Sequence, residues 1–161
     1  MADYHAIPDG PAPTKRELLA ALVRVIDRPP PAQLPTSVDA AALDDGQSAT
    51  AKMILVAEDN ETNVKVVQYM LATFDCAVAV ARDGRAAVRR FQSQKIDLVL
   101  MDIMMPELDG FDATREIRKF ERTESLAPAP IVALTAHILP ADQHLCIDAG
   151  MNDYLSKPLK P

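Results

Sequence analysis

The residues best suited to chemistry are carboxylates that directly follow short apolar runs. Glu58 and Asp59 follow the run at residues 53–57, and Asp102 follows the run at residues 98–101. Carboxylates held close together raise one another's pKa, so such a cluster stays ionised only beside compensating positive charge. A divalent cation and a lysine would provide that charge.

A hydroxyl and an ammonium occupy equivalent positions later in the chain. Thr135 and Ala136 follow the apolar run at residues 131–134, and Lys157 follows a fifth strand expected at about residues 153–155. Oxygen ligands that are few and open to water favour Mg²⁺ over Zn²⁺ or an enclosed Ca²⁺. A carboxylate beside Mg²⁺ can attack phosphorus and form an aspartyl phosphate. Mg²⁺, the Lys157 ammonium, and the Thr135 hydroxyl with the Ala136 N–H would then neutralise the phosphoryl oxygens.

The segments that carry these residues alternate between two kinds of pattern. Continuously apolar runs, typical of parallel strands covered by helices on both faces, lie at residues 53–57, 77–81, 98–101 and 131–134. A fifth strand is expected at about residues 153–155. Helical patterns lie at about residues 61–73, 85–93, 111–122 and 140–149. This alternation predicts a doubly wound α/β fold. Ligands of such folds bind beyond the carboxyl ends of the strands, where the charged residues are therefore expected to meet.

Four blocks of sequence resemble the receiver domain of two-component response regulators, most closely the receivers of hybrid histidine kinases. The blocks are Val56-Ala57-Glu58-Asp59-Asn60, Met101-Asp102-Ile103-Met104-Met105-Pro106-Glu107-Leu108-Asp109-Gly110, Ala133-Leu134-Thr135-Ala136 and Tyr154-Leu155-Ser156-Lys157-Pro158. They occur in the family's order and at its spacing within residues 52–161, about two thirds of the chain. The resemblance implies a flavodoxin-like five-stranded parallel sheet in the order 2-1-3-4-5.

The resemblance also implies a metal site and a phosphoacceptor. Asp102 resembles the aspartate that receives the phosphoryl group, and Asp59 resembles the direct Mg²⁺ ligand. Glu58 is similar to the ligand that acts through water, and the Met104 backbone carbonyl completes the protein's share of the coordination.

Further residues resemble the family's switch. Thr135 resembles the hydroxyl that moves toward the phosphoryl group, and Tyr154 resembles the aromatic residue that changes rotamer with it. Lys157 resembles the lysine that pairs with the phosphate and precedes a proline that is usually cis. The two variable positions that tune the lifetime of the phosphoryl group correspond to Met104 and His137.

Several of these residues also have an ordinary structural interpretation. Asp59 can cap the helix predicted to begin near Glu61, and Asp109 with Gly110 is typical of a turn that opens the next helix. His137 is typical of a solvated loop histidine. The functional interpretation is favoured because the candidate residues occur together, at successive strand ends, in one order.

Composition and sequence pattern disfavour other classes of protein. The 161 residues carry a net charge of −6, which disfavours a nucleic-acid surface. No apolar run approaches the roughly 18 residues that span a bilayer, and the N-terminus lacks a signal peptide's apolar core. Cys76 and Cys146 lack metal-ligand spacing and predict small buried hydrophobes in a reducing cytoplasm. His5 and His144 lack the context of a phosphodonor.

The first residues of the chain are similar in sequence to its last residues. Residues 1–8 share Met, Asp, Tyr and Pro in register with residues 151–158. A capping box of Thr14 and Glu17 then opens a predicted helix at residues 14–26. Its apolar face consists of Leu18, Leu19, Leu22, Val23 and Ile26. Chance similarity followed by a generic helix is the alternative to a true repeat.

We interpret residues 1–27 as the fifth strand and fifth helix of an upstream degenerate receiver, with Ile7 in place of the lysine. Residues 28–51 are a Pro-rich linker, and residues 52–161 are the receiver domain, which is expected to lack its own fifth helix. We expect helix 14–26 to dock on the face left uncovered, in the same chain or swapped with a neighbour.

The favoured function is a cytoplasmic phosphorelay receiver whose partner is a histidine kinase or a histidine phosphotransfer protein. No kinase motif is present, so enzymatic activity is expected only toward its own phosphoryl group, although the chain is interpreted as a piece of a hybrid kinase. An aspartate-nucleophile phosphatase would carry a second Asp at the position of Met104. A flavin-binding module would meet repulsion at the acidic strand ends, and a pure scaffold would leave the site unused.

Overall fold

The computed structural model describes residues 52–72, 74–136 and 140–159. Its centre is one five-stranded parallel sheet with the spatial order β2-β1-β3-β4-β5. The strands are β1 (Lys52–Ala57), β2 (Cys76–Ala81), β3 (Leu98–Asp102), β4 (Ile131–Thr135) and β5 (Asp153–Ser156). The predicted doubly wound α/β fold and its strand order are confirmed.

Helices cover both faces of the sheet. In the described part of the chain they are α1 (Glu61–Leu71), α2 (Gly84–Ser93), α3 (Gly110–Thr123) and α4 (Pro140–Ala149). Side chains of α2, α3 and α4 pack on one face, with Leu55 and Val99 in its core. Those of α1 pack on the other, with Val56 and Leu100. We call this second side of the sheet the α1 face.

Polar caps begin three of these helices just beyond strand ends. Asn60 Oδ1 accepts a hydrogen bond from the Thr62 N–H at 2.9 Å and begins α1. Asp83 and Asp109 cap α2 and α3 in the same way, which satisfies N–H groups that have no partner inside the helix. The cap of α1 is therefore Asn60 and not Asp59. As predicted, Asp109 and Gly110 open α3.

Two elements differ from the sequence prediction. Helix α1 ends at Leu71 rather than near residue 73, and Phe74 lies beyond it, where its N–H donates to the Leu71 carbonyl at 2.9 Å. Strand β2 was predicted to be buried on both faces, yet only Ala81 is buried. The reason is position: β2 lies at the edge of the sheet and pairs with β1 alone.

Some predictions concern residues that the structure does not describe. The upstream segment at residues 1–27, the linker at residues 28–51 and His137 all lie outside the described residues. Within those residues, no helix is both long enough and apolar enough to cross a membrane. Cys76 and Cys146 are free thiols; Cys146 is buried as predicted, whereas Cys76 on the edge strand is half-buried.

An ion-pair network joins α3 to the amino ends of β4 and β5. The Arg118 guanidinium pairs with Glu121 at 2.7 Å, and their side chains are only 12% and 3% exposed. It also donates to the carbonyls of Gly150 and Ala129 and to Asn152 Oδ1, at 2.8–2.9 Å. The second Glu121 oxygen accepts the Ala129 N–H at 2.7 Å. Every oxygen of the buried carboxylate thus has a donor.

We expect Arg118→Ala to lower the free energy of unfolding by about 3 kcal/mol, because it leaves the Glu121 charge buried without its partner. Arg115→Ala is the matched control: Arg115 lies on the same helix and pairs with Asp112 at the surface, so its loss should cost less than about 1 kcal/mol. Urea denaturation followed by circular dichroism measures both. Equal losses in the two variants would contradict the importance assigned to the buried pair.

Candidate functional site

Three carboxylates meet at the carboxyl edge of the sheet. One oxygen from each of Glu58, Asp59 and Asp102 lies within 4.8 Å of the others. Glu58 and Asp102 are buried, whereas Asp59 is exposed. Glu58 and Asp59 directly follow β1, and Asp102 is the last residue of the neighbouring strand β3. Parallel pairing of these strands therefore brings the acidic residues together.

Lys157 is the cation of this cluster. Its Nζ lies 2.6 Å from Glu58 Oε2 and 2.6 Å from Asp102 Oδ2. The Lys157 N–H donates to the Thr135 carbonyl at 2.6 Å, and a cis peptide bond joins Lys157 to Pro158. The backbone after β5 is thus anchored to the end of β4, and the side chain reaches β1 and β3.

Asn63 orients Glu58, a role that sequence analysis missed. Its Nδ2 donates to Glu58 Oε1 at 2.9 Å, and the Asn60 N–H donates to the same oxygen at 3.3 Å. Asn63 lies in the first turn of α1, three residues after the cap. An amide at this position can return toward the strand end, and that spacing is the one sequence signal for its role.

Opposing influences act on the pKa of Asp102. Its Oδ1 accepts the Met104 N–H at 3.1 Å. Burial raises the pKa of Asp102 above its ordinary value, and the neighbouring Glu58 carboxylate adds to that increase. The hydrogen bond and charge of Lys157, with the Met104 N–H, act in the opposite direction. The charged form of Asp102 therefore depends on the cation beside it.

The backbone behind Asp102 requires a glycine. A Cβ at Gly110 would lie 2.2 Å from the Asp102 carbonyl oxygen. The Gly110 N–H also donates to the Ile103 carbonyl at 2.9 Å, so the loop after β3 folds back against its own start. Gly84 makes a similar close approach, because its Cβ would lie 2.1 Å from the Leu108 carbonyl oxygen. The first turns of α2 and α3 thus fix the loop that leaves Asp102.

The remaining candidate residues surround the cluster. Thr135 is buried at the end of β4, and Ala136 follows it at the surface. Tyr154 on β5 is buried in the core beneath α2, α3 and α4. Met104 stands at the rim, 77% exposed. The variable position His137 lies outside the described residues, and the individual roles assigned to these residues stay predictions.

The donor set fits Mg²⁺. It offers carboxylate oxygens only, and the exposed Asp59 leaves one side of the cluster open to water, as that ion requires. Glu58 Oε2 is buried beside the Lys157 ammonium, and within the described residues it accepts no well-directed hydrogen bond. Three carboxylates beside one lysine also leave uncompensated negative charge. Glu58, Asp59 and Asp102 would hold the ion.

Two solved structures share this architecture. The receiver domain of the sensor histidine kinase PA1611 from Pseudomonas aeruginosa PAO1, solved with magnesium coordinated in its active-site cleft, is 45% identical. The match covers 69% of this chain and 88% of that one, with a TM-score of 0.60. The co-crystal structure of the Saccharomyces cerevisiae phosphotransfer protein Ypd1 and the Ssk1 receiver domain matches with a TM-score of 0.65 and 32% identity, covering 68% and 80%.

The sensor protein GacS of Pseudomonas syringae pv. syringae is 40% identical over 112 residues, or 70% of this chain. The match covers only 12% of the length of GacS. The family profile described as the response regulator receiver domain matches residues 54–161. The chain therefore belongs to the response regulator receiver domain family of two-component signalling.

Proposed function

We propose that this chain is a phosphorelay receiver in which Asp102 accepts a phosphoryl group from a partner's phosphohistidine. The observation that carries the proposal is the contact of Lys157 Nζ with both Asp102 Oδ2 and Glu58 Oε2, at 2.6 Å each, beside Asp59. This arrangement places a nucleophilic carboxylate, oxygen ligands and a fixed positive charge within reach of one phosphoryl group.

In the proposed transfer, an Asp102 carboxylate oxygen forms a bond to phosphorus. The bond between phosphorus and the donor imidazole nitrogen breaks, and its electron pair returns to that nitrogen. Mg²⁺ bound by Glu58, Asp59, Asp102 and the Met104 carbonyl would neutralise charge on the phosphoryl oxygens. Lys157 would pair with one of these oxygens. Because its positive charge is already in place, the site would need no further rearrangement during the transfer.

The signal would be read out through the end of β4. The Thr135 hydroxyl and the Ala136 N–H would bind a phosphoryl oxygen, and the buried Tyr154 side chain would change rotamer with them. Such a change creates two surface states that a partner can distinguish. The partner we propose is a histidine kinase or a histidine phosphotransfer protein, which the Ypd1–Ssk1 match supports. We place this chain in the cytoplasm.

Acetyl phosphate provides a direct test. With Mg²⁺ present, we expect the mass of the chain to increase by one phosphoryl group, and we expect no increase after chelation of the metal. Asp102→Asn should abolish the gain, because the amide is not a nucleophile. Asp112→Asn, which alters an exposed aspartate on α3, should retain it.

Other outcomes would identify a different function. Hydrolysis of an unrelated phosphomonoester over many turnovers would indicate a phosphatase. Absence of any mass gain in the unaltered chain would indicate a scaffold, and a gain retained in Asp102→Asn would exclude Asp102 as the acceptor.

The hydrogen bond from Asn63 to Glu58 leads to a second prediction, which concerns the affinity of the site for Mg²⁺. Asn63→Ala should raise the Mg²⁺ concentration needed for half-maximal phosphorylation by about tenfold, because groups that orient metal ligands typically contribute this much to affinity. Gln68→Ala alters an exposed side chain on the same helix and should leave that concentration unchanged. The orienting role of Asn63 is excluded if the two variants respond alike to Mg²⁺ titration.

A further inference from the structure

The segment that contains α2 is strongly basic, although the chain as a whole is acidic. Residues 82–95 contain five basic side chains and a single acidic one, whereas the full chain has a net charge of −6. The acidic side chain is Asp83, which caps α2 by accepting the Ala86 N–H at 2.6 Å. We call the five basic residues, all of them exposed, the α2 strip: Arg82, Arg85, Arg89, Arg90 and Lys95.

No carboxylate in the described part of the chain forms an ion pair with the α2 strip. Other helices do pair basic side chains with acidic ones about one turn away. Lys65 pairs with Glu61 at 2.8 Å on α1, and Arg118 pairs with Glu121 at 2.7 Å on α3. Helix α2 contains three arginines and no acidic residue, so its own surface offers no such partner. The charges of the strip are therefore available to a ligand.

The positions of two arginines oppose the stability of the helix. Arg85 lies in the first turn of α2, which contains no acidic residue, and the helix dipole disfavours positive charge there. Arg85 and Arg89 are also one turn apart, and like charges at this spacing destabilise a helix. The positive charges of these two residues do not stabilise α2, which favours a role in binding.

We propose that the α2 strip binds an acidic segment of a partner protein in an extended conformation. Arg85 and Arg89 are separated by about 6 Å along the helix axis, and alternate residues of an extended chain are separated by about 6.6 Å. Acidic side chains at alternate positions of the segment would therefore match the arginines in spacing. Four of the five residues of the strip are arginines, whose guanidinium groups bind carboxylates through two parallel hydrogen bonds.

Broad anionic surfaces fit the strip less well than a narrow segment does. Helix α2 has no exposed apolar side chain to insert into a membrane, because Ala87, Val88 and Phe91 are buried in the core. A membrane or a nucleic-acid duplex would also face exposed acidic residues such as Asp59 and Glu116. Charges are screened over about 8 Å at physiological ionic strength. A narrow segment would therefore respond mainly to the strip itself.

The strip begins beside the functional site. Arg82 directly follows β2, and the carbonyl of the preceding Ala81 accepts the Glu58 N–H at 3.0 Å. The partner would thus contact the chain at the edge of the sheet that carries the carboxylates. The proposal does not depend on phosphoryl transfer, because it rests on the charges of α2 and not on the chemistry of the site.

Binding of a synthetic acidic peptide to the full chain tests the proposal. The probe is a fluorescein-labelled peptide of about eight alternating Glu and Ser residues, long enough to span α2, and fluorescence anisotropy measures its affinity. Arg85→Gln with Arg89→Gln should weaken binding about fivefold or more, because two exposed charge pairs are lost. Lys119→Gln with Arg122→Gln removes the same charge from exposed positions on α3. This control should change the affinity by less than about twofold, since charges away from the peptide are screened.

Several results would overturn the proposal. Equal weakening in the two double variants would show only a general attraction to positive charge. Failure of the unaltered chain to bind the peptide, or equal binding of a peptide with Gln in place of every Glu, would exclude an acidic segment as the ligand. Vesicles of phosphatidylcholine and phosphatidylserine are the second probe. Co-sedimentation with these vesicles that is lost in Arg85→Gln with Arg89→Gln would identify a membrane surface as the ligand.

The melting temperature distinguishes binding from a structural role of the two arginines. Arg and Gln have similar helix propensities, and the substitutions remove the repulsion between the two charges. Arg85→Gln with Arg89→Gln should therefore leave the melting temperature unchanged or raise it by up to about 4 °C. A decrease of more than about 4 °C would show that these arginines stabilise the fold, and it would overturn the proposal.

Discussion

Two buried carboxylates share one ammonium, and the architecture of the site follows from that constraint. Glu58 and Asp102 each lie 2.6 Å from Lys157 Nζ. Without that cation, burial and mutual repulsion would favour protonation of one carboxyl group. The sheet must therefore bring together the ends of β1, β3 and β5, which are not all neighbours. Parallel pairing and the strand order β2-β1-β3-β4-β5 achieve this.

The same constraint explains the surrounding hydrogen bonds and close contacts. Lys157 is positioned through the backbone of Thr135, so β4 links the lysine to the sheet. Glu58 is oriented from α1 by Asn63. Gly110 packs against the Asp102 backbone, and a side chain at position 110 would not fit there. Each acidic or basic group is thus fixed by a different element, and its position depends on packing elsewhere in the domain.

Sequence analysis predicted the site residues that lie at the ends of strands. Glu58, Asp102 and Lys157 were predictable because parallel strands direct their carboxyl ends to one edge. Asn63 was not, because an asparagine early in a helix is usually interpreted as part of a cap. The half-exposure of β2 was also missed, since edge position depends on strand order and not on the apolar run itself. The Arg118 network joins residues distant in sequence, and no local pattern indicates such contacts.

Two ionic clusters in the described part of the domain differ in how completely their charge is matched. Glu121 has one guanidinium partner, and both of its oxygens accept hydrogen bonds. At the other edge of the sheet, three carboxylates lie close together, and a single lysine pairs with two of them. A balanced pair joins secondary-structure elements and has no need of a ligand, whereas an unbalanced cluster attracts additional positive charge. The difference in charge balance, more than burial alone, separates a structural ion pair from a site suited to Mg²⁺.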